Sequence, residues 1–379
     1  MTVLAQYINP DRTKPWNDLP LLPPPNDLIE DIEIYRDYLV GARAALAELN
    51  REAKNIPDQT LLMNTLPLRE AKDSSEIENI FTTHEEMYMA FSKLKSQDEV
   101  RGAAKEVLRY REALWKGYNY LIERQKFDLN YFINIFQVVK ESNLGIRHPS
   151  IPTLIRKGGS TLSAGQIVYT PPRGPGVLEQ KLQNLVDFIN NDETYAYDPL
   201  IKMAISHYQF EAIHPFSDGN GRTGRIMNIH ILINKSILDL PILYLSNYIV
   251  NTKDNYYDLI GSVSQRGKWK DWIKYMLRAV EITAKKTLAK IEDIKALLSA
   301  TNQRISNEAP NFRYKELIIQ AVFSQPYCTV KNLMNLGVRS ENTARKRLDQ
   351  LVNLGILEKK NNKGHSFYVN TPLLFLLSD

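Results

Sequence analysis

Twelve consecutive residues, His214 to Arg225, read H-P-F-S-D-G-N-G-R-T-G-R and bring an imidazole, a carboxylate, an amide, three glycines and two guanidinium groups together. An apolar run, K-M-A-I-S-H-Y-Q-F-E-A-I, precedes them, and the segment Arg222 to Ser236 carries Ile226, Met227, Ile229, Ile231, Leu232 and Ile233, as suits a buried helix. Gly219, Asn220 and Gly221 open that helix. Backbone N–H groups at a helix start lack internal partners and lie at its positive end, so they cradle phosphate oxygens. Arg222 and Arg225, three apart, share a face and can grip outer phosphates. Asp218 just outside the helix suits Mg²⁺ completed by phosphate oxygens. His214 can take a proton from an attacking hydroxyl near neutral pH. A lone G-N-G would read as a turn between core helices with solvated arginines; the full set points to nucleotide transfer.

These residues match, without gaps, H-x-F-x-(D/E)-G-N-G-R-x-x-R, and the chain resembles the Fic (Fido) family on this motif. The resemblance implies a mainly α fold and transfer of AMP from Mg-ATP to a hydroxyl side chain of a target protein, with release of pyrophosphate. It implies His214 as general base and Asp218 on Mg²⁺. Gly219, Asn220 and Gly221 become the anion hole, Arg222 and Arg225 hold the β and γ phosphates, and Phe216 anchors the loop. Gly221, where a kinase-like variant of the family carries lysine, disfavours that variant.

The elements that must position this site begin with S-S-E-I-E-N. Ser74, Glu78 and Asn79 fit (S/T)-x-x-x-E-(G/N), which resembles the inhibitory helix of many Fic proteins, here expected at about 70–88. The resemblance implies that Glu78 pairs with Arg225 and competes with a phosphate for the same guanidinium. Taken alone, the segment would be a solvated acidic helix face. Inhibition would act within one chain or reciprocally in a homodimer.

Residues 151–176, rich in Gly, Pro and β-branched side chains with a turn at K-G-G-S, read as a β-hairpin. Its place resembles the family's flap, which implies pairing with the target's main chain; otherwise it is a surface loop. Tyr256 and Tyr257 fall where the family lines the adenine pocket, and either could equally be core. His84, His148, His207, His230 and His365 show no paired ligand spacing and read as structural.

Upstream, the proline-rich stretch before Asp27 reads as an extended arm on the body. Leu28, Ile32, Tyr35, Leu39, Ala42 and Leu46 recur at steps of four and three, predicting an amphipathic helix. Further helices from Ala103 to Ile146 build the core, and one long helix spans Asp271 to Ile305. Beyond Ser306 to Pro310, two helices about Gly337 and two strands about N-N-K-G resemble a winged helix-turn-helix domain. The expected domains are 1–102, carrying the inhibitory helix; 103–305, the Fic core; and 310–379, the winged helix.

Composition sets the remaining bounds. The 379 residues, 43% hydrophobic and 24% charged, are ordinary for a globular chain. One cysteine, Cys328, excludes an internal disulfide framework and a multi-thiolate metal site. The start lacks a signal-like run, and no window has the ~18 apolar residues of a membrane span, so the expectation is a cytoplasmic protein with no membrane contact. Ten Lys or Arg against five Asp or Glu after residue 309 carry the whole net charge of +5. Asn342, Arg345 and Lys346 on the second helix and Lys359, Lys360 and Lys363 on the wing could meet DNA, although winged helices also bind protein or dimerise.

The sequence therefore predicts a protein adenylyltransferase that uses ATP with Mg²⁺, modifies a Ser, Thr or Tyr hydroxyl of a protein or of itself, and is restrained by Glu78. Removal of AMP, or another nucleotide at the same site, is the alternative within the class. A DNA-binding regulator is the alternative outside it.

Overall fold

The computed structural model describes residues 7–56, 59–92, 100–156, 165–362 and 365–378, without the side chains of Leu28, Asn362 and His365. From Tyr7 to Pro25 the chain forms neither helix nor strand and lies on the body. Its backbone is fixed at Asn9 N to Ser264 O (2.7 Å), Trp16 N to Thr170 O (3.1 Å) and Leu22 N to Asn184 Oδ1 (2.7 Å). The arm expected from the prolines is present.

After the single turn α1 (Asn26–Ile29), a π-helical segment (Ile34–Leu39) runs directly into α2 (Val40–Lys54). Here the expected stripe is corrected. Ile32 is 81% and Tyr35 42% exposed, whereas Ile34, Leu39, Ala42 and Leu46 are buried. A π turn inserts an extra residue, so the 3.6-residue phase that holds from Leu39 onward does not extend back through it.

α3 (Thr60–Ile77) and α4 (His84–Ser92) follow, then α5 (Ala103–Arg124) and α6 (Leu129–Lys140), which pack together. Strands β1 (Ile155–Arg156) and β2 (Ile167–Tyr169) pair antiparallel as the expected hairpin, whose K-G-G-S turn lies outside the described residues. α7 (Val177–Asn190) leads to the central pair, α8 (Pro199–Ile213) and α9 (Asn220–Asn234). These two are buried on nearly all sides and pack against each other, so their joining loop is held by the whole core. Both bury polar as well as apolar residues, which is why their sequences show so little amphipathic contrast.

α10 (Ser246–Asn251) and α11 (Lys253–Arg266) precede α12 (Trp269–Glu308), a 40-residue helix that packs along α2 and α8. The C-terminal unit comprises α13 (Lys315–Ser324), β3 (Tyr327–Cys328), α14 (Val330–Asn335), α15 (Glu341–Asn353), β4 (Glu358–Asn362), β5 (His365–Val369) and α16 (Thr371–Ser378). Its sheet has the order β3-β5-β4. The two helices about Gly337 and the two strands expected after them are present, with one strand more than the sequence pattern indicated. Asn342, Arg345 and Lys346 are exposed on α15. Arg345 pairs with Glu341, Lys359 with Asp349, and Lys360 lies 3.9 Å from Glu85; Lys363 is outside the described residues. The unit docks on the body through α13 against α3 and through the Tyr327 hydroxyl donating to Glu85 Oε1 at 2.9 Å. No described helix is long and apolar enough to cross a membrane.

Candidate active site

The loop between α8 and α9 begins at His214, whose φ of 50° ends α8 in a left-handed cap. Its amide donates to Phe210 O at 2.9 Å. Phe216 is fully buried and stacks on Phe136 with ring centroids 4.3 Å apart. Asn220 closes the loop from the other side: its Oδ1 accepts from Phe216 N (2.9 Å) and its Nδ2 donates to Phe216 O (2.8 Å). The Asn220 side chain is therefore spent on holding the loop's shape. The first backbone N–H groups of α9 have no partner within the helix, as a helix start requires. Gly219, at φ 73°, makes the left-handed entry to α9.

His214 sits half-buried at this mouth. Burial first, and then the nearby Arg147 cation, lower its pKa to about 4, against a smaller upward pull from the Glu211 backbone, Glu78 and Asp218. The imidazole is thus uncharged at neutral pH. Nδ1 is buried, which leaves Nε2 as the nitrogen able to take a proton. Arg147 also braces the loop, donating from Nε to His214 O (2.9 Å), from its amide to Pro215 O (2.9 Å) and from Nη2 to Pro172 O (2.5 Å). The hairpin is tied to the same helix by Tyr169, whose hydroxyl donates to Ala212 O at 2.8 Å. Sequence reading missed Arg147; its position 67 residues before the loop gave no local signal.

Both motif arginines are buried, Arg225 at 1% and Arg222 at 2% exposure. Arg225 donates from Nη2 to Glu78 Oε1 (2.8 Å) and to Ser74 O (2.9 Å), and from Nε to Ser74 Oγ (2.7 Å). Burial would raise the Glu78 pKa, but Arg225 and Arg222 outweigh it and hold the carboxyl below its usual range. Gly221 makes room for this pair: a Cβ on it would lie 2.3 Å from Glu78 Oε1 and 2.9 Å from Arg225 Nη1, so the two side-chain ends would have to shift. The carboxylate therefore lies directly on the glycine-lined start of α9. Ser74 and Glu78 meet the motif as expected, while Asn79 (φ 61°) turns the chain and accepts from Lys253 Nζ at 3.2 Å. The element itself is corrected: α3 ends at Ile77 with Glu78 as its C-cap, and the next helix starts only at His84, so no single helix spans 70–88. The left-handed Asn79 breaks it, a conformation Asn tolerates better than most residues.

Arg222 donates from Nη1 to Glu106 Oε2 at 2.6 Å, a partner on α5 that sequence reading did not single out. Asp218 is 66% exposed at the side chain; its Oδ2 pairs with Lys140 Nζ at 2.6 Å and its Oδ1 accepts from Gly219 N at 2.6 Å. Burial would raise its pKa, but Lys140 and the Gly219 amide lower it. No cluster of three His, Cys, Asp or Glu able to hold a metal occurs among the described residues. One accessible carboxylate beside an anion cradle fits Mg²⁺ arriving with nucleotide phosphates, not a metal held by protein alone.

The two tyrosines separate. Tyr256 is a core residue, 2% exposed, its hydroxyl on His207 Nε2 at 2.7 Å and its ring among Trp272 and Tyr275. That correction leaves Tyr257, 47% exposed and edge-on to Tyr256, as the tyrosine of the pair that reaches the surface. His207 and His230 are buried structural residues, the latter between Tyr131 Oη (2.6 Å) and Leu114 O (2.9 Å).

Comparison with known proteins matches these elements in three blocks: residues 37–119 to the Fic/DOC family N-terminal model, 127–232 to the Fic/DOC family model, and 297–373 to the "Protein adenylyltransferase SoFic-like, C-terminal domain" model. Among curated relatives, "Protein adenylyltransferase fic-1" of Caenorhabditis briggsae is 30% identical over 148 residues, 39% of this chain and 26% of that protein. A probable protein adenylyltransferase of Aquifex aeolicus is 28% identical over 171 residues, 45% of this chain and 42% of that protein. The chain thus spans less than half the length of these relatives. A crystal structure of a Fic family protein from Desulfovibrio desulfuricans G20 superposes with a TM-score of 0.51 at 18% identity, covering 87% of this chain and 95% of that one, and shares the fold.

Proposed function

The chain belongs to the Fic/DOC family, and from that premise we propose that it is a protein adenylyltransferase that moves AMP from ATP to a Ser, Thr or Tyr hydroxyl of a protein, itself among the candidates, under restraint by Glu78. The reading rests on one observation above others. An uncharged imidazole and two buried guanidinium groups converge on the glycine-lined start of α9.

His214 takes the proton as the target oxygen attacks the α-phosphorus; the bond to the bridging oxygen breaks and pyrophosphate leaves. The first-turn N–H groups of α9 stabilise charge on the transferred phosphoryl, and Arg222 and Arg225 receive the outer phosphates. Positioning and charge stabilisation then supply most of the rate. Asp218 would hold Mg²⁺ together with phosphate oxygens, and bound there it would supply positive charge beside the leaving group. Tyr257 offers an aromatic face to the adenine. The β1–β2 hairpin, tied to α8 by Tyr169, offers an edge for the target's main chain. Glu78 competes with a phosphate for Arg225, so ATP binds poorly until Glu78 leaves.

The test compares label entering protein from α-labelled and γ-labelled ATP. Glu78→Gly should label strongly from the α position, the wild type weakly, and Glu78→Gly with His214→Ala about a thousandfold less than Glu78→Gly alone, within the range for loss of a general base. Label from the γ position, or none from Glu78→Gly in an extract supplying targets, contradicts the reading.

A further inference from the structure

Arg222 and Arg225 differ in what their partners leave free. Arg225 has Ser74 on Nε and both Ser74 and Glu78 on Nη2. Arg222 gives only Nη1, to Glu106 Oε2 at 2.6 Å, while its Nε is buried and has no partner among the described residues. Nη1 and Nε lie on different edges of a guanidinium. Glu106 therefore grips one edge and leaves the other with an unmet donor, a costly arrangement unless an acceptor arrives.

Glu106 is itself held. It lies in the first turn of α5, and its Oε1 accepts from Arg109 Nη1 at 3.4 Å. Arg109 in turn pairs with Glu141, which Lys105 Nζ reaches at 3.2 Å. Helix α5 packs against both α6 and α9, so Glu106 and Arg109 are carried on an element of the core, while Lys105 and Glu141 reach the surface. A carboxylate fastened in this way has the character of a rest, whereas Glu78, at the open end of α3 beside a left-handed turn, has that of a removable plug.

We propose that Glu106 is a positioning residue: it stays on Arg222 when nucleotide binds and presents the Nε edge of that guanidinium to an outer phosphate of ATP. The inference rests on the nucleotide-transfer reading of the site and adds to it a carboxylate that supports phosphate binding, opposite in effect to Glu78.

The experiment is calorimetric titration of ATP and of adenosine into the full chain carrying Glu78→Gly, with and without Glu106→Gln, and with Glu106→Asp as a second variant. Glu106→Gln should weaken ATP by about tenfold, as expected when a charged hydrogen bond loses its alignment, and leave adenosine within about twofold. Glu106→Asp, which keeps the charge on a shorter arm, should fall between. Tighter ATP binding in Glu106→Gln would make Glu106 a second competitor and overturn the proposal, as would unchanged ATP binding. Equal loss of ATP and adenosine would indicate a merely structural residue and also overturn it. If Glu78→Gly binds adenosine but not ATP before Glu106 is altered, the transfer reading fails, and the proposal with it.

Discussion

The two arginines of the motif stand one turn apart on the same helix with the same burial, yet one is sealed and the other is open. Arg225 meets a carboxylate and a serine from α3, an element that approaches from outside the α8–α9 pair. Arg222 meets a carboxylate from α5, within the packing beneath the loop, and keeps a free edge. On the proposed function, the difference means that opposite charge beside a phosphate-binding cation has two uses: to occupy the phosphate's place, or to steer the cation toward it. Which use applies follows from the edge of the guanidinium that is taken and from how firmly the carboxylate is anchored.

The largest effect should come from breaking each side in turn. Arg225→Ala strands Glu78, 35% exposed at the side chain, and removes the partners of Ser74. Its loss of stability should be roughly 2 kcal/mol, discounted from the 3–5 kcal/mol of a fully buried broken pair. Arg222→Ala removes only one contact and should cost about half as much. Urea midpoints check the order, and equal losses would remove the distinction between a sealed and an open side.

A smaller effect is expected at Ser74. Ser74→Ala keeps the Ser74 carbonyl on Arg225 but loses the 2.7 Å bond to Nε. A hydrogen bond to a charged group contributes about 1.5–3 kcal/mol, part of which water recovers in a site opened to ATP. ATP affinity should rise about threefold, below the gain from Glu78→Gly, and competition with a fluorescent nucleotide reads it.

The smallest effect concerns pH. Glu78 titrates below the usual carboxylate range, so its hold on Arg225 persists from neutral pH down toward that lowered value and is lost only as pH falls through it. His214, lowered to about 4, keeps its base form over the same window. The acid limb of kcat/KM in Glu78→Gly should therefore lie well below the 6.5 of an ordinary histidine. A limb near 6.5 would show that burial and Arg147 do not govern the imidazole.

The motif itself was readable from the chain because its parts are contiguous: base, carboxylate, glycines and arginines all belong to one turn and one helix start. Glu78 was readable through its spacing from Ser74, but the extent of its helix was not, since nothing in S-E-I-E-N fixes Asn79 in the left-handed region. Glu106, Lys140 and Arg147 were invisible for another reason. Each is an ordinary charged residue on its own segment, and only packing carries it to the loop. Tyr256 and Tyr257 are adjacent and alike in type, so the split between core and surface had to come from the helix facing Trp272. The π segment before α2 likewise shifted a regular stripe that the sequence alone presents as unbroken. In the C-terminal unit, alternating helix and strand patterns were legible, whereas two-residue β3 was too short to carry a pattern.

The most direct test of the central claim, that Glu78 stands in a phosphate's place on Arg225, is titration of ATP and adenosine into the wild type and Glu78→Gly. The account predicts that ATP tightens by at least about tenfold on removal of Glu78, the worth of one charge-assisted bond, while adenosine, which has no phosphate to compete, stays within about twofold. Equal gains for both ligands, or no gain for ATP, would contradict it.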